Sequence, residues 1–354
     1  MNNDSYTIPG EAPVTVPLRF NMDFAAFVVE EQLDSAIFLV DEQVLKFHPD
    51  KFRELRVLSV KSGETAKEFS YVMELAEQLL AMKVQRNDKL VGVGGGVVCD
   101  ITGFLGATYK RGISFGFVPT TLLAMVDASL GGKNGINIGN HKNMLGTVAQ
   151  PAFIAYDHSF LSSLPETEWS NGFAEIIKHA CIRDTTLFSE LEERDIDFYR
   201  DNPGRLAELI ARNVRIKSGI VSEDVNENGD RKLLNFGHTI GHAVEKLQQT
   251  DHGKAISIGM YRDALLSQVT GPFREADRIA AVLLRYRLPV HYNGHADELM
   301  HYIANDKKSL SDNSIDYIVL EKIGKGVIKN ISLQQLEILL KEQHEPDQHI
   351  QIRT

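Results

Sequence analysis

Two histidines four residues apart, in Asn235-Phe236-Gly237-His238-Thr239-Ile240-Gly241-His242, are the densest chemical signal in the second half of the sequence. On a helix that spacing puts both imidazoles on one face, where both could bind one metal ion. A third donor has to come from elsewhere. Glu175 in Ala174-Glu175-Ile176-Ile177-Lys178 is the best candidate, because a carboxylate inside an apolar helix needs a partner. Three nitrogen and oxygen donors leave coordination positions open, as in a catalytic metal site.

A second signal lies in Gly92-Val93-Gly94-Gly95-Gly96-Val97-Val98-Cys99-Asp100. Lys89 to Val93 reads as a short buried strand, three glycines follow without a gap, and Val97 to Ala107 carries apolar residues at helical spacing. A strand that stops in glycines and restarts as a helix leaves N–H groups aimed at one place, which suits a pyrophosphate against Gly95 and Gly96. The usual Rossmann fingerprint is not met, because no third glycine follows at the required offset. Arg111 comes just beyond this helix, and Val118-Pro119-Thr120-Thr121 reads as a strand ending in a hydroxyl pair. Asp127 then precedes Gly131-Gly132-Lys133-Asn134-Gly135-Ile136-Asn137, with Lys142-Asn143 next. Glycines, cations, hydroxyls and amides in one window suggest a site that grips a polyanionic ligand.

The segments GGGVVCD, KRG, VPTTLLAMVDASLGGKNGIN and HKNMLG are followed in order by AEIIKH, RKLLNFGHTIGHAVE, HGKAISIGM and NDKK. Together they resemble the signature blocks of the 3-dehydroquinate synthase family, within the sugar phosphate cyclases, from about Ser35 to Asn330. The resemblance implies that zinc, or Co²⁺ in its place, is held by Glu175, His238 and His252, leaving His242 for substrate contact or proton transfer. It implies NAD contacts from Asp41, Glu64 and Lys67, beside Gly95, Gly96, Asp100, Thr120, Thr121 and Asp127, with Lys142 shared between cofactor and substrate. Lys133, Lys178, Lys217, Arg231 and Asn235 fall on catalytic positions with His242, and Asn143 and Lys307 on substrate positions. Arg111 matches an arginine that reaches the substrate phosphate across a dimer interface, so a homodimer is expected.

The chemistry so implied turns 3-deoxy-D-arabino-heptulosonate 7-phosphate into 3-dehydroquinate. Transient oxidation by NAD is followed by phosphate elimination, return of the hydride and aldol closure, without net use of the cofactor. A carboxylate and a phosphate on one substrate need two anion clamps, for which Arg supplies a fork and Lys a point charge. This sequence departs from the family pattern at Gln43, Met125 and Lys254, where relatives often have Asn, Gln and Glu. Two rivals share the signals. One is another cyclase, of the 2-epi-5-epi-valiolone or 2-deoxy-scyllo-inosose synthase type; the other is a metal-dependent polyol dehydrogenase, which would not need so many anion-binding cations.

The elements that must position these residues are legible in outline. Ala36 to Val40 and Arg56 to Val60 read as parallel strands, and Thr65 to Met82 as a helix. Alternation of strands and helices up to the glycine turn indicates a parallel sheet. Beyond Pro165 helical patterns take over, at Trp169 to Ile182, Phe188 to Phe198, Leu206 to Val221 and Thr239 to Gln248. The fold expected is therefore α/β, with a parallel-sheet nucleotide-binding domain over 1–164 and a mainly α-helical metal and substrate domain over 165–354. A polar leader, Met1 to Pro17, and a tail from Glu342 flank them.

At 354 residues the chain fits two domains, and 43% hydrophobic with 24% charged residues is the balance of a globular protein. A net charge of −10 argues against nucleic-acid binding, so an anionic substrate must be met by locally clustered cations. Two cysteines, Cys99 and Cys181, in apolar surroundings imply neither a disulfide framework nor a cysteine metal site. The leader lacks the basic start and apolar core of a signal peptide, and no apolar run reaches the ~18 residues of a membrane span. A cytoplasmic enzyme is expected.

Overall fold

Four of the short apolar runs become adjacent strands of a seven-stranded sheet. The computed structural model describes residues 4–10, 12–139, 141–306 and 313–342. Its strands are β1 (Asp4–Ile8), β2 (Val14–Arg19), β3 (Ile37–Asp41), β4 (Arg56–Val60), β5 (Lys89–Gly94), β6 (Ser114–Pro119) and β9 (Ile154–Ala155), in the order β1-β2-β9-β6-β5-β3-β4. All pairs are parallel except β1 with β2, which closes one edge as an antiparallel hairpin. Ile37 to Val40 are fully buried because helices cover both faces of such a sheet, which explains their unbroken apolar run. Phe24, Phe27, Phe38, Phe52 and Phe160 pack together beside them. Each buried Phe contributes about 1.5–3 kcal/mol, so this cluster outweighs any single hydrogen bond in holding that layer. Outside the sheet, β7 (Lys133–Ile138) and β8 (His141–Val148) form a separate antiparallel hairpin.

The chain divides into two compact units: Met1–Gly172 with Tyr199–Val225, and Phe173–Phe198 with Asn226–Thr354. The long helix Pro203–Glu223 belongs to the first unit, although the change of texture near Pro165 groups it with the helical half. It packs on β1 and on the π-helical turn Ala124–Ala128. A linear reading of the sequence cannot detect such a return. The second unit is built on the helices His238–Gln248 and His252–Thr270, joined by the hairpin of β10 (Ser314–Lys322) and β11 (Lys325–Ser332). Ile240, Val244, Ile258, Leu299, Tyr317 and Leu336 form its core.

Several expected elements differ in detail. The helix read over Thr65 to Met82 breaks at Glu68, where ψ is 135°, into a 3-10 turn Glu64–Lys67 and the helix Phe69–Ala81. That read over Phe188 to Phe198 is two helices, Thr185–Glu193 and Ile196–Asp201, parted at the extended Arg194. The polar leader contains β1, and β10 and β11 interrupt the helical half. Lys307 and the tail beyond Glu342 lie outside the described residues. Among the described residues no helix is long and apolar enough to cross a membrane. Cys99 and Cys181 are buried free thiols.

Candidate metal centre and dinucleotide cradle

Glu175 sits in the helix Glu166–Arg183 and is 0% exposed. A buried carboxylate without compensation costs several kcal/mol, and here the compensation is specific. The ammonium of Lys178, three residues on and 2% exposed, pairs with Oε2. The other oxygen faces two imidazoles, with His252 Nε2 at 3.3 Å and His238 Nε2 at 3.7 Å from Oε1. Both histidines open helices, His238 after Gly237 and His252 after Asp251. His238 Nδ1 lies 3.2 Å from the Phe236 carbonyl and His252 Nδ1 3.4 Å from Glu245 Oε2, so each ring is oriented from its far side.

The electrostatics of the two rings differ. Burial, with Lys178 close by, holds His238 well below the usual histidine range. Burial would also lower His252, but the carboxylates of Glu175 and Glu245 outweigh it and raise the ring to about 9. One ligand atom each from Glu175, His238 and His252 fall within 4.8 Å of one another. An anionic oxygen and two imidazole nitrogens converging on one point are a donor set that fits a divalent cation. A second group, His242, Glu245 and His252, meets the same distance and shares one histidine with the first. His242 is exposed, its ring centroid 5.2 Å from that of His238. Spacing alone puts His242 with His238 on one metal; of these two sets the more buried is the one with Glu175.

Other expected residues of the second unit lie on the approach to the His238 helix. Arg231 is buried in the turn Asp230–Asn235, and the Asn235 amide donates to Glu227 Oε1 at 2.6 Å. Lys254 forms a local pair with Asp251 at 2.7 Å, so its charge is countered within its own helical turn.

In the first unit, Gly95 precedes the helix Gly96–Thr108, and no side chain caps that helix. Its first N–H groups thus stay available to an anion. A Cβ on Gly95 would come 3.1 Å from Thr121 Cγ2, which makes the turn a cradle with little room to spare. Thr120 N–H bonds to the Gly94 carbonyl at 2.9 Å and Thr121 Oγ1 accepts from Ala124 N–H at 3.1 Å, tying the hydroxyl pair to the glycine turn. Asp41 ends β3, and its carboxylate accepts from Gln43 N–H and Ser62 Oγ. Uncapped N–H groups beside a close-fitting glycine are the features a dinucleotide pyrophosphate requires.

Lys67 is buried and bonds to Asp100 Oδ2 at 2.7 Å and to Asn143 Oδ1, with Glu64 3.7 Å away. Burial pushes the Asp100 carboxyl up, against the pull of Lys67. Asn137 closes the ring of contacts: its amide donates to Glu64 Oε1 and its oxygen accepts from Asn143 N–H, both at 2.9 Å. Lys217 Nζ holds Asp127 through Oδ1 and the carbonyl, both at 2.7 Å. Lys133, Lys142 and Arg111 are exposed.

Residues 57–171 match the family model of the 3-dehydroquinate synthase N-terminal region, and residues 172–309 that of its C-terminal region. The chain belongs to the 3-dehydroquinate synthase family. A family relative, the 3-dehydroquinate synthase of Campylobacter concisus, is 39% identical over 79% of this chain and 81% of its own length. Among solved structures, 2-epi-5-epi-valiolone synthase from Streptomyces hygroscopicus, with NAD⁺ and Zn²⁺ bound, is 25% identical with a TM-score of 0.83 over 95% of this chain and 99% of its own. A 2-deoxy-scyllo-inosose synthase, complexed with carbaglucose-6-phosphate, NAD⁺ and Co²⁺, is 24% identical with a TM-score of 0.82 over 96% and 99%, and shares the fold.

Sequence reasoning on this family member missed Glu245 and Asn137. Glu245 had a signal, since it lies three residues from His242 on one helical face. Asn137 had none beyond its place in the glycine-rich block.

Proposed function

We propose that this protein is a 3-dehydroquinate synthase, which releases phosphate from 3-deoxy-D-arabino-heptulosonate 7-phosphate and closes the carbocycle of 3-dehydroquinate. The observation that carries the reading is the 39% identity to a 3-dehydroquinate synthase across both matched regions, against 24–25% to the solved cyclases for other sugar phosphates.

In this reading NAD lies against Gly95 and Gly96, near Asp41, Thr120 and Thr121, and a divalent cation, zinc by preference, is held by Glu175, His238 and His252. Bound NAD would accept a hydride and give it back, and the cation would polarise a substrate hydroxyl. The chain's own residues do the rest by charge and position. Glu175 supplies the anionic donor, while Glu245 keeps the His252 proton on Nδ1 and so leaves Nε2 to ligate. Lys178 and Arg231 supply cations for substrate oxygens, and the exposed His242 can exchange protons with solvent. Lys217 holds Asp127 beside the π-helical turn. Lys67 and Asn137 keep Asn143 and the hairpin of Lys133 and Lys142 in place. The reading includes a cytoplasmic homodimer, with the exposed Arg111 offered to the phosphate of the partner's substrate.

The test is to incubate the protein with NAD, Zn²⁺ or Co²⁺ and the heptulosonate phosphate, following phosphate and dehydroquinate, with sedoheptulose 7-phosphate and glucose 6-phosphate in parallel. Turnover of the heptulosonate alone is expected. Preferential cyclisation of either other sugar overturns the assignment in favour of the matching cyclase.

A further inference from the structure

The helix that begins with His238 is entered through a turn held in an unusual way. Gly237 stands at φ +81°, and no side chain of its own segment caps the helix. A Cβ at that position would meet Met260 Cγ at 2.5 Å and the Ile256 carbonyl at 2.9 Å, so the turn is pressed onto the helix His252–Thr270. Its N–H is satisfied by a carboxyl group from that same helix, donating to Asp263 Oδ2 at 2.6 Å. The other oxygen of Asp263 accepts from the Tyr317 hydroxyl on β10. Ser267 Oγ adds a second link, donating to the Asp263 carbonyl and accepting from Leu320 N–H of β10 at 2.9 Å.

Asp263 is 1% exposed and Tyr317 0%. A carboxyl group buried this far is costly, and this one is tied at both oxygens, to the turn before His238 and to β10. What distinguishes this N–H is its position immediately before His238. The helix bearing Asp263 also begins with His252, about three turns earlier. We infer that Asp263 and Tyr317 are positioning residues for the metal centre: they fix the left-handed turn at Gly237 and so aim His238 Nε2 at the point shared with Glu175 and His252. The hairpin of β10 and β11, remote in sequence from every ligand, thereby sets ligand geometry. This rests on the reading of Glu175, His238 and His252 as metal ligands.

The experiment uses the full chain in metal-free form, titrated with Co²⁺ and followed by visible absorption, with amide exchange measured across Gly237 before metal is added. Asp263→Val should bind Co²⁺ about 10-fold or more weakly, alter the absorption band and lose exchange protection at Gly237, with NAD affinity unchanged. Asp263→Asn, which offers an acceptor to Gly237 and a donor to Tyr317, should restore binding to within about threefold. Tyr317→Phe should shift affinity and protection in the same direction as Asp263→Val. Wild-type Co²⁺ affinity and spectrum in Asp263→Val, or in Tyr317→Phe should the valine variant fail to fold, overturns the proposal. Wild-type protein that takes up no Co²⁺ overturns the metal reading itself, and with it this one, a failure visible without any variant.

Discussion

His252 Nδ1 lies 3.4 Å from Glu245 Oε2, on the edge of the ring opposite the one that faces Glu175. A ligating histidine held from behind by a carboxylate keeps one tautomer and is a stronger donor. Glu245→Ala should therefore keep one metal ion per chain at saturation but weaken its binding about 10–100-fold, as read by competition with a chelator. Unchanged affinity would reduce Glu245 to a surface partner.

Removing one of the proposed ligands is a harsher change. Glu175→Ala, His238→Ala and His252→Ala should each lose the metal and turnover while NAD still binds. Full metal content in His252→Ala would reject this set and bring His242 into it.

The glycine turn gives a separate handle on the cofactor. Gly95→Val places side-chain carbons against Thr121, and overpacking costs about 1–3 kcal/mol. NAD binding should weaken about 10–100-fold by calorimetric titration. Equal affinity in the variant would mean that the turn only shapes the fold.

Lys178 pairs with Glu175 in the buried helix. Lys178→Ala should destabilise the metal-free protein by about 3–5 kcal/mol, since a buried charge loses its partner, and the added cation should recover much of that. Thermal melts with and without Zn²⁺ measure the difference. Turnover should be lost with metal and NAD retained; wild-type kinetics would make Lys178 a purely structural cation.

Burial raises the Asp263 carboxyl to about 8, against hydrogen bonds from Tyr317 and Gly237. The unfolded chain gives up this proton near pH 4, so between about pH 4 and 8 the folded state binds more protons and loses stability as pH rises. The slope from this one group is up to about 1.4 kcal/mol per pH unit. Asp263→Asn should flatten the decline of denaturant midpoint over that window; an identical profile in the variant would show that the group does not titrate there.

The parallel strands could be read from sequence because burial on both faces leaves apolar runs such as Ile37-Phe38-Leu39-Val40. The hairpins could not. β8, His-Lys-Asn-Met-Leu-Gly-Thr-Val, exposes most of its residues, so no burial pattern marks it. The break at Glu68 carries neither Gly nor Pro; there the extended backbone bridges to Asn137, a partner distant in sequence. For the site, spacing joined His238 to His242, whereas His252 came only from the family resemblance. Asp263 shows the rule applied too narrowly. A carboxylate inside an apolar helix drew attention to Glu175, and the same argument holds for Asp263 in Ile256-Ser257-Ile258-Gly259-Met260-Tyr261-Arg262-Asp263-Ala264-Leu265-Leu266.

The return of residues 199–225 to the first unit makes this chain poor material for cut-and-paste evolution. A fragment ending at Gly172 lacks the helix that carries Lys217 and covers β1 and the π-helical turn, while one starting at Phe173 carries that helix away from its own core. Neither half can be moved as a continuous cassette, so a gene fusion or recombination event that keeps both working has to move the whole coding stretch together.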